Sequence, residues 1–152
     1  MSTHATGAGP RSVRSSVPVP TAAVVWGVII GAVQAASPLA VWWLAPSTVY
    51  ALGLAVIASV YIGFAVADGR TKVLVVEIGV AAVFVVAAAT AVSGSSWIFV
   101  AWLAAHGLKD LWQHRTQFVR NTRWWPPFCV TVDFVAAAVL AVLLVTGADF
   151  HA

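Results

Sequence analysis

Charge is what this chain has least of. Asp, Glu, Lys and Arg make up 9% of its 152 residues, against about 25% in soluble proteins. So few charges cannot cover a water-facing surface, and an ordinary soluble domain is excluded. The eight basic residues outnumber the five acidic ones, but they stand in small groups between apolar runs, which argues against nucleic acid as a partner. The single cysteine, Cys129, excludes an intramolecular disulfide and says little about redox compartment. There is no convincing internal repeat.

What is abundant is apolar side chain: 61% of residues are hydrophobic, against about 45–50% in soluble domains. Lipid is therefore the expected solvent, and the chain reads as an all-α polytopic membrane helix bundle whose partner is the bilayer. Residues 1–20, polar and without periodicity, have nothing to bury and read as a disordered cytoplasmic tail. Residues 21–147 read as one transmembrane helical domain, and 148–152 as a short tail. Five apolar runs, 21–45, 47–67, 72–92, 97–114 and 127–146, each approach the roughly 20 residues that cross a bilayer as a helix. Pro38 is expected to kink the first run. A competing reading makes that run a signal peptide, cleaved near Val33, Gln34 and Ala35, which leaves four spans. The short turns predict that consecutive helices lie antiparallel and adjacent.

Five spans with a cytoplasmic N-terminus place Arg11, Arg14, Arg70, Lys72, Arg115, Arg120 and Arg123 inside, with Lys109 near that side. The opposite face then carries neither Lys nor Arg, as the positive-inside rule favours. Trp42, Trp43, Tyr50 and Trp97 fall near the outer boundary, and Trp112, Trp124 and Trp125 near the inner one, as aromatic belts do. The expected location is the plasma membrane of a bacterium, with the C-terminus outside. Five short helices leave little width for a pathway within one copy, which is compatible with a homo-oligomer.

The apolar pattern breaks at residues 101–115. His106, Asp110 and His114 recur there every fourth residue; at about 100° per residue they share a stripe about 80° wide. Glu77 lies five residues inside the third run and Asp133 six inside the fifth. At about 1.5 Å per residue, Glu77, His106, Asp110 and Asp133 fall within about 7–14 Å of one boundary, with His114 at its rim. A charge facing lipid costs at least about 2.5–3.5 kcal/mol, so these groups are predicted to point inward and pair. Gly79, Ala81 and Ala82, then Ala104, Ala105 and Gly107, then Ala136, Ala137 and Ala138 supply small residues for close packing. Cys129 lies one turn from Asp133 and adds a thiol.

Imidazole nitrogen and carboxylate oxygen are donors for zinc, iron or manganese, and His at i with Asp at i+4 can reach one ion. Helix bundles hold such ions between facing helices. The candidate metal ligands are His106, Asp110, Glu77 and Asp133; the candidates for acid–base catalysis are His114 and Glu77. Such an ion could activate water against a lipid-soluble ester or phosphoester. Two other readings use the same residues. One is a proton or ion relay in a small coupled transporter. The other is mutual neutralisation in a structural or accessory subunit, with Asp110 holding His106 or Lys109. Taken singly, Cys129 reads first as an apolar filler, His114 as a solvated rim residue, and His4 and His151 as inert. Gln34 reads as an interhelical hydrogen-bonding residue. Gly69 reads as the positive-φ residue of a turn, and residues 124–127 as an interface anchor and helix start.

The order Glu77, then His106-x3-Asp110-x3-His114, then Cys129-x3-Asp133 resembles a family of small bacterial integral membrane proteins of unknown function. That family carries a Glu in one span, then His-x-x-Trp-Asp-x-x-His-His, then Cys-x-x-x-Asp. Here Lys109 stands for the Trp and Gln113 for the first of the paired His, so one candidate ligand is lost. The resemblance covers about residues 61–140. It implies that these polar positions form a set and implies no activity.

Overall fold

The structure, a computed structural model, describes residues 18–120 and 123–151. The disordered tail expected at residues 1–20, with Arg11 and Arg14, falls almost entirely outside them. The described chain is all-α: α1 (Thr21–Ala36), a short 3-10 turn (Ser37–Leu39), α2 (Pro46–Asp68), α3 (Thr71–Ser93), α4 (Trp97–Thr116) and α5 (Trp125–Val145). Four helices are long and apolar enough to cross a membrane: α1 with its 3-10 turn, α2, α3 and α5. The bundle's exterior suits lipid. Trp26, Val33, Leu52, Val56, Val86, Leu108 and Val142 are all more than 40% exposed, while Glu77, His106, Asp110, His114 and Asp133 are buried.

Local chemistry sets the helix ends. Pro46 opens α2, where a missing N–H costs nothing. Gly69, at φ 77°, closes it in the left-handed region with its N–H on the carbonyls of Ala65 and Val66, as the turn reading expected. Pro126 and Pro127 lie in the first turn of α5, and Trp124 stacks on Phe128 at 4.7 Å between centroids. The first span differs from expectation. Its α-helix stops at Ala36 instead of bending through to residue 45. Pro38 cannot continue the α-helical ladder, and Ser37 turns its hydroxyl back onto the Gln34 carbonyl at 2.7 Å. Trp42 and Trp43 consequently sit, exposed, in the connector to α2.

Helix neighbours also depart in part from chain order. The α2/α3 and α4/α5 hairpins pack closely, but α1 lies along α5, with little backbone approach to α2. Small residues explain it. Ala23, Gly27, Gly31 and Ala35 form the buried stripe of α1. A Cβ on Gly27 would come within 2.5 Å of Thr131 Cβ, and one on Gly31 within 2.8 Å of the Val132 carbonyl oxygen. Only glycine lets these two backbones approach so closely. Gln34 reaches from α1 across to α2, its amide filling the space beside Gly53.

The two ends of the bundle are chemically distinct. At one end Asp68 accepts from the Arg70 guanidinium and from the Arg120 N–H at 2.8 Å. Arg70 also donates to the Phe118 carbonyl at 2.7 Å, which ties the α2/α3 turn to the α4/α5 connector. Lys72, Arg115, Arg120 and Arg123 belong to this basic end. At the other end the C-terminal residues fold back: the Phe150 carbonyl accepts from Ser47 N–H at 2.8 Å, its ring packs on Tyr50, and His151 meets the Ser96 hydroxyl. None of the described Lys or Arg residues lies there. Helix α4 runs between these two ends like its neighbours but falls short of the hydropathy of the other four. The shortfall comes from the polar residues it turns inward.

Candidate functional site

Three helices build a polar layer between two apolar plugs. Toward the basic end Tyr61, Ala65, Val73 and Val119 close it. Toward the other end Leu54, Phe84, Phe99, Leu103, Ala136 and Leu140 do so. The approach of α4 to α5 is set by Gly107, where a Cβ would stand 3.3 Å from Asp133 Cβ and 3.2 Å from the Phe134 ring. That approach carries His106 and Asp110, one turn apart on α4, to Asp133 on α5.

His106, Asp110 and Asp133 are all fully buried, and one donor atom from each lies within 4.8 Å of the others. His106 Nδ1 stands 2.8 Å from Asp133 Oδ2 and 3.6 Å from Asp110 Oδ2. With neutral imidazole the first contact is an Nδ1–H donating to the carboxylate. The ring is held between Phe84 and Tyr61, edge to face, at centroid distances of 5.0 and 6.2 Å. The Tyr61 hydroxyl and the Cys129 thiol border Asp110.

Beside this trio lies a second, compensated group. Lys109 Nζ is 2.9 Å from Glu77 Oε2 and 3.9 Å from Asp110 Oδ1, and sits 3.6 Å from the centre of the Tyr61 ring. Gln113 donates its amide to Glu77 Oε1. Polar side chains therefore link Asp133, His106, Asp110, Lys109, Glu77 and Gln113 across α5, α4 and α3. Of the four expected ligands, the structure gathers His106, Asp110 and Asp133 and sets Glu77 apart, joined to them through Lys109. His114, expected at a solvated rim, is buried instead. Eight residues beyond His106, it has rotated toward a small cavity with Val24 of α1 and Pro127 and Thr131 of α5.

Lys109, Gln113 and Tyr61 complete the layer and lie outside the expected ligand set. A signal for them existed: Lys109 and Gln113 follow His106 at i+3 and i+7, on the inward stripe of the same helix. A tyrosine inside an apolar run also needs a polar partner for its hydroxyl when buried.

Chemically, the trio is an acidic cluster. If Lys109 balances Glu77, the two carboxylates of Asp110 and Asp133 remain with a neutral imidazole. One donor atom from each residue lies within 4.8 Å of the others, near enough for a single ion once the proton shared by His106 Nδ1 and Asp133 is displaced. Outside the spans, hydrogen bonding to Asp68 raises the Arg70 guanidinium above its already high pKa, so the clasp at the basic end stays ionised. The chain matches no protein-family model, no curated protein and no solved structure.

Proposed function

We propose that this protein is a membrane-embedded metal-dependent enzyme that acts on a lipid-soluble substrate. In this reading His106, Asp110 and Asp133 hold one divalent ion (zinc, iron or manganese), and Glu77 and Lys109 form the adjoining acid–base pair. The observation that carries it is the convergence of three buried donor groups, within 4.8 Å of one another, from two helices. Two buried carboxylates converge with an imidazole, while the nearest ammonium is engaged by a third carboxylate. Two ionised carboxylates are costly to bury without a counter-charge, and one divalent cation would stabilise that form. Bound there, the ion would supply a polarised water or a Lewis acid. The basic residues clustered at one end support an orientation with that end in the cytoplasm and the C-terminus outside.

Metal analysis of detergent-purified full-length protein tests the centre. Stoichiometric zinc, iron or manganese is expected, lost in both His106→Ala and Asp133→Asn, with affinity falling as the pH is lowered because protons compete for the same donors. Folded, metal-free protein after incubation with each ion would refute it. The continuous chain from Asp133 to Glu77 favours a second reading, a proton relay. It predicts pH-driven flux in proteoliposomes that Glu77→Gln abolishes, in protein that needs no metal.

A further inference from the structure

One wall of the polar layer is not a helix. Val119, which completes the apolar cap at the basic end, belongs to the connector after α4 and is only 2% exposed. It packs with Tyr61, Ala65 and Val73. The Tyr61 ring lies 3.6 Å from Lys109 Nζ, and its hydroxyl borders Asp110. A single side chain, Tyr61, therefore stands between this strap, residues 117–120, and the site.

The strap is held by backbone groups on both sides of Val119. The Phe118 carbonyl accepts from Arg70 at 2.7 Å, and the Arg120 N–H donates to Asp68 Oδ2 at 2.8 Å. Arg70 and Asp68 are themselves paired at 2.7 Å. Asp68 ends α2 and Arg70 precedes α3, so the latch comes wholly from that hairpin and the strap wholly from the α4/α5 side. The strap leaves α4 at Gln117, whose φ of 51° is a left-handed conformation that L residues rarely adopt.

The bundle divides along the same line. Helices α2 and α3 pack closely on each other, as do α4, α5 and α1, while backbone approach between the two groups is slight. Across the divide α3 and α4 meet through the Phe84 and Trp102 rings, 5.1 Å apart. The polar layer lies on this divide, with the trio on one side and Glu77 and Tyr61 on the other. Bonds that cross a loose interface are those whose rupture opens it while each side stays folded.

We propose that residues 117–120 gate the polar layer from the basic end, with Asp68 and Arg70 as the latch. Closed, Val119 keeps water from the site. When the two bonds to the strap break, Val119 withdraws, and water-borne ions and protons reach Lys109, Asp110 and the groups behind them. Both bonds have a charged partner and are of the stronger kind, so the closed state dominates and opening is a local event. The gate serves a layer that holds a metal ion and one that passes protons alike, and so goes beyond the choice between those readings.

Cys129, the chain's single cysteine, is buried beside Asp110 and reports on the gate without an engineered probe. Full-length protein in phosphatidylcholine nanodiscs is treated with trimethylammonium-ethyl methanethiosulfonate, a permanently charged reagent that lipid excludes. The mixed disulfide at Cys129 is followed by intact mass. Labelling of the wild type should be slow. Asp68→Ala removes the acceptor for the Arg120 N–H, and Arg70→Gln removes the charged donor to Phe118; each should speed labelling about tenfold. Val119→Ala, which thins the plug and leaves the latch, should speed it too. Ser96→Ala, which releases His151 at the opposite end, should leave the rate unchanged. Equal rates in the wild type and both latch variants would overturn the gate. So would rates that simply follow the unfolding midpoints of all four variants, because the thiol would then be reached by global unfolding.

Chelator-treated samples give the thiol result with no metal present, which separates this claim from the metal centre. Faster labelling of the latch variants in protein that takes up no metal supports the gate and sinks the metal centre alone. In protein that binds metal, Asp68→Ala should load it about tenfold faster to an unchanged final content, and an unchanged loading rate would overturn the gate alone.

Discussion

Replacing Lys109 by Met keeps most of the side chain's volume and removes its charge. The ammonium stands 2.9 Å from Glu77 Oε2, with Glu77 1% exposed and Lys109 13%. At an effective dielectric of about 20, that contact is worth about 6 kcal/mol of gross attraction. Desolvation of the ammonium offsets part of it, and breaking a buried pair from one side costs about 3–5 kcal/mol net. Because Lys109 is partly exposed, the lower end, about 3 kcal/mol, is expected. Glu77→Gln alone should cost less, since Lys109, on a long flexible stem and already partly exposed, can carry a freed ammonium outward, whereas a freed carboxylate at Glu77, 1% exposed, cannot reach solvent. The double variant should recover most of the loss, its amide still bonded to Gln113. The assay is denaturant unfolding in mixed micelles, followed by tryptophan fluorescence. Equal stability of Lys109→Met and wild type would refute the neutralising role assigned to this pair. So would a double variant no better than Lys109→Met.

Three more expectations address how the site is held. Gly107→Val should push α4 from α5, costing about 1–3 kcal/mol as overpacking does and weakening metal uptake, read by unfolding and metal titration; a variant as stable as wild type with full metal uptake would show that the close approach does not matter. Gly31→Ala puts a Cβ 2.8 Å from the Val132 carbonyl oxygen and should cost about 1–3 kcal/mol, with engineered-cysteine crosslinking between α1 and α5 reporting the separation. Asp68→Asn weakens the clasp that joins the two connectors at the basic end, and limited proteolysis between α4 and α5 should speed up while metal content stays unchanged.

How much of the centre was legible before folding depended on distance along the chain. His106 and Asp110 are neighbours on one helix, so the 3.6-residue period alone placed them together. Asp133 lies on another helix, and its depth links it to them, because lipid penalises any ionisable group that is not turned inward. Depth alone puts Glu77 in the same layer, but depth does not fix rotation. Whether α3 aimed it at the trio or at Lys109 depended on how far Phe84 and Trp102 hold α3 from α4. His114 went the other way: eight residues of helical drift carried it out of the trio and toward α1, a helix that chain order had placed beside α2.

By itself the sequence determined the solvent, the helices and their number, because composition and run length respond directly to a medium that cannot satisfy an open backbone. It also contained the Ala23, Gly27, Gly31, Ala35 stripe, although which helix that stripe would meet was not written in it. Tertiary structure decided the rest: that α1 lies on α5, that His106, Asp110 and Asp133 form one cluster, and that Lys109 takes Glu77. These outcomes depend on helix rotation and separation, which are fixed by side chains meeting across helices, as Gly107 does against Asp133 and Phe134. No local pattern encodes such contacts, because each needs both partners in place before either has a position.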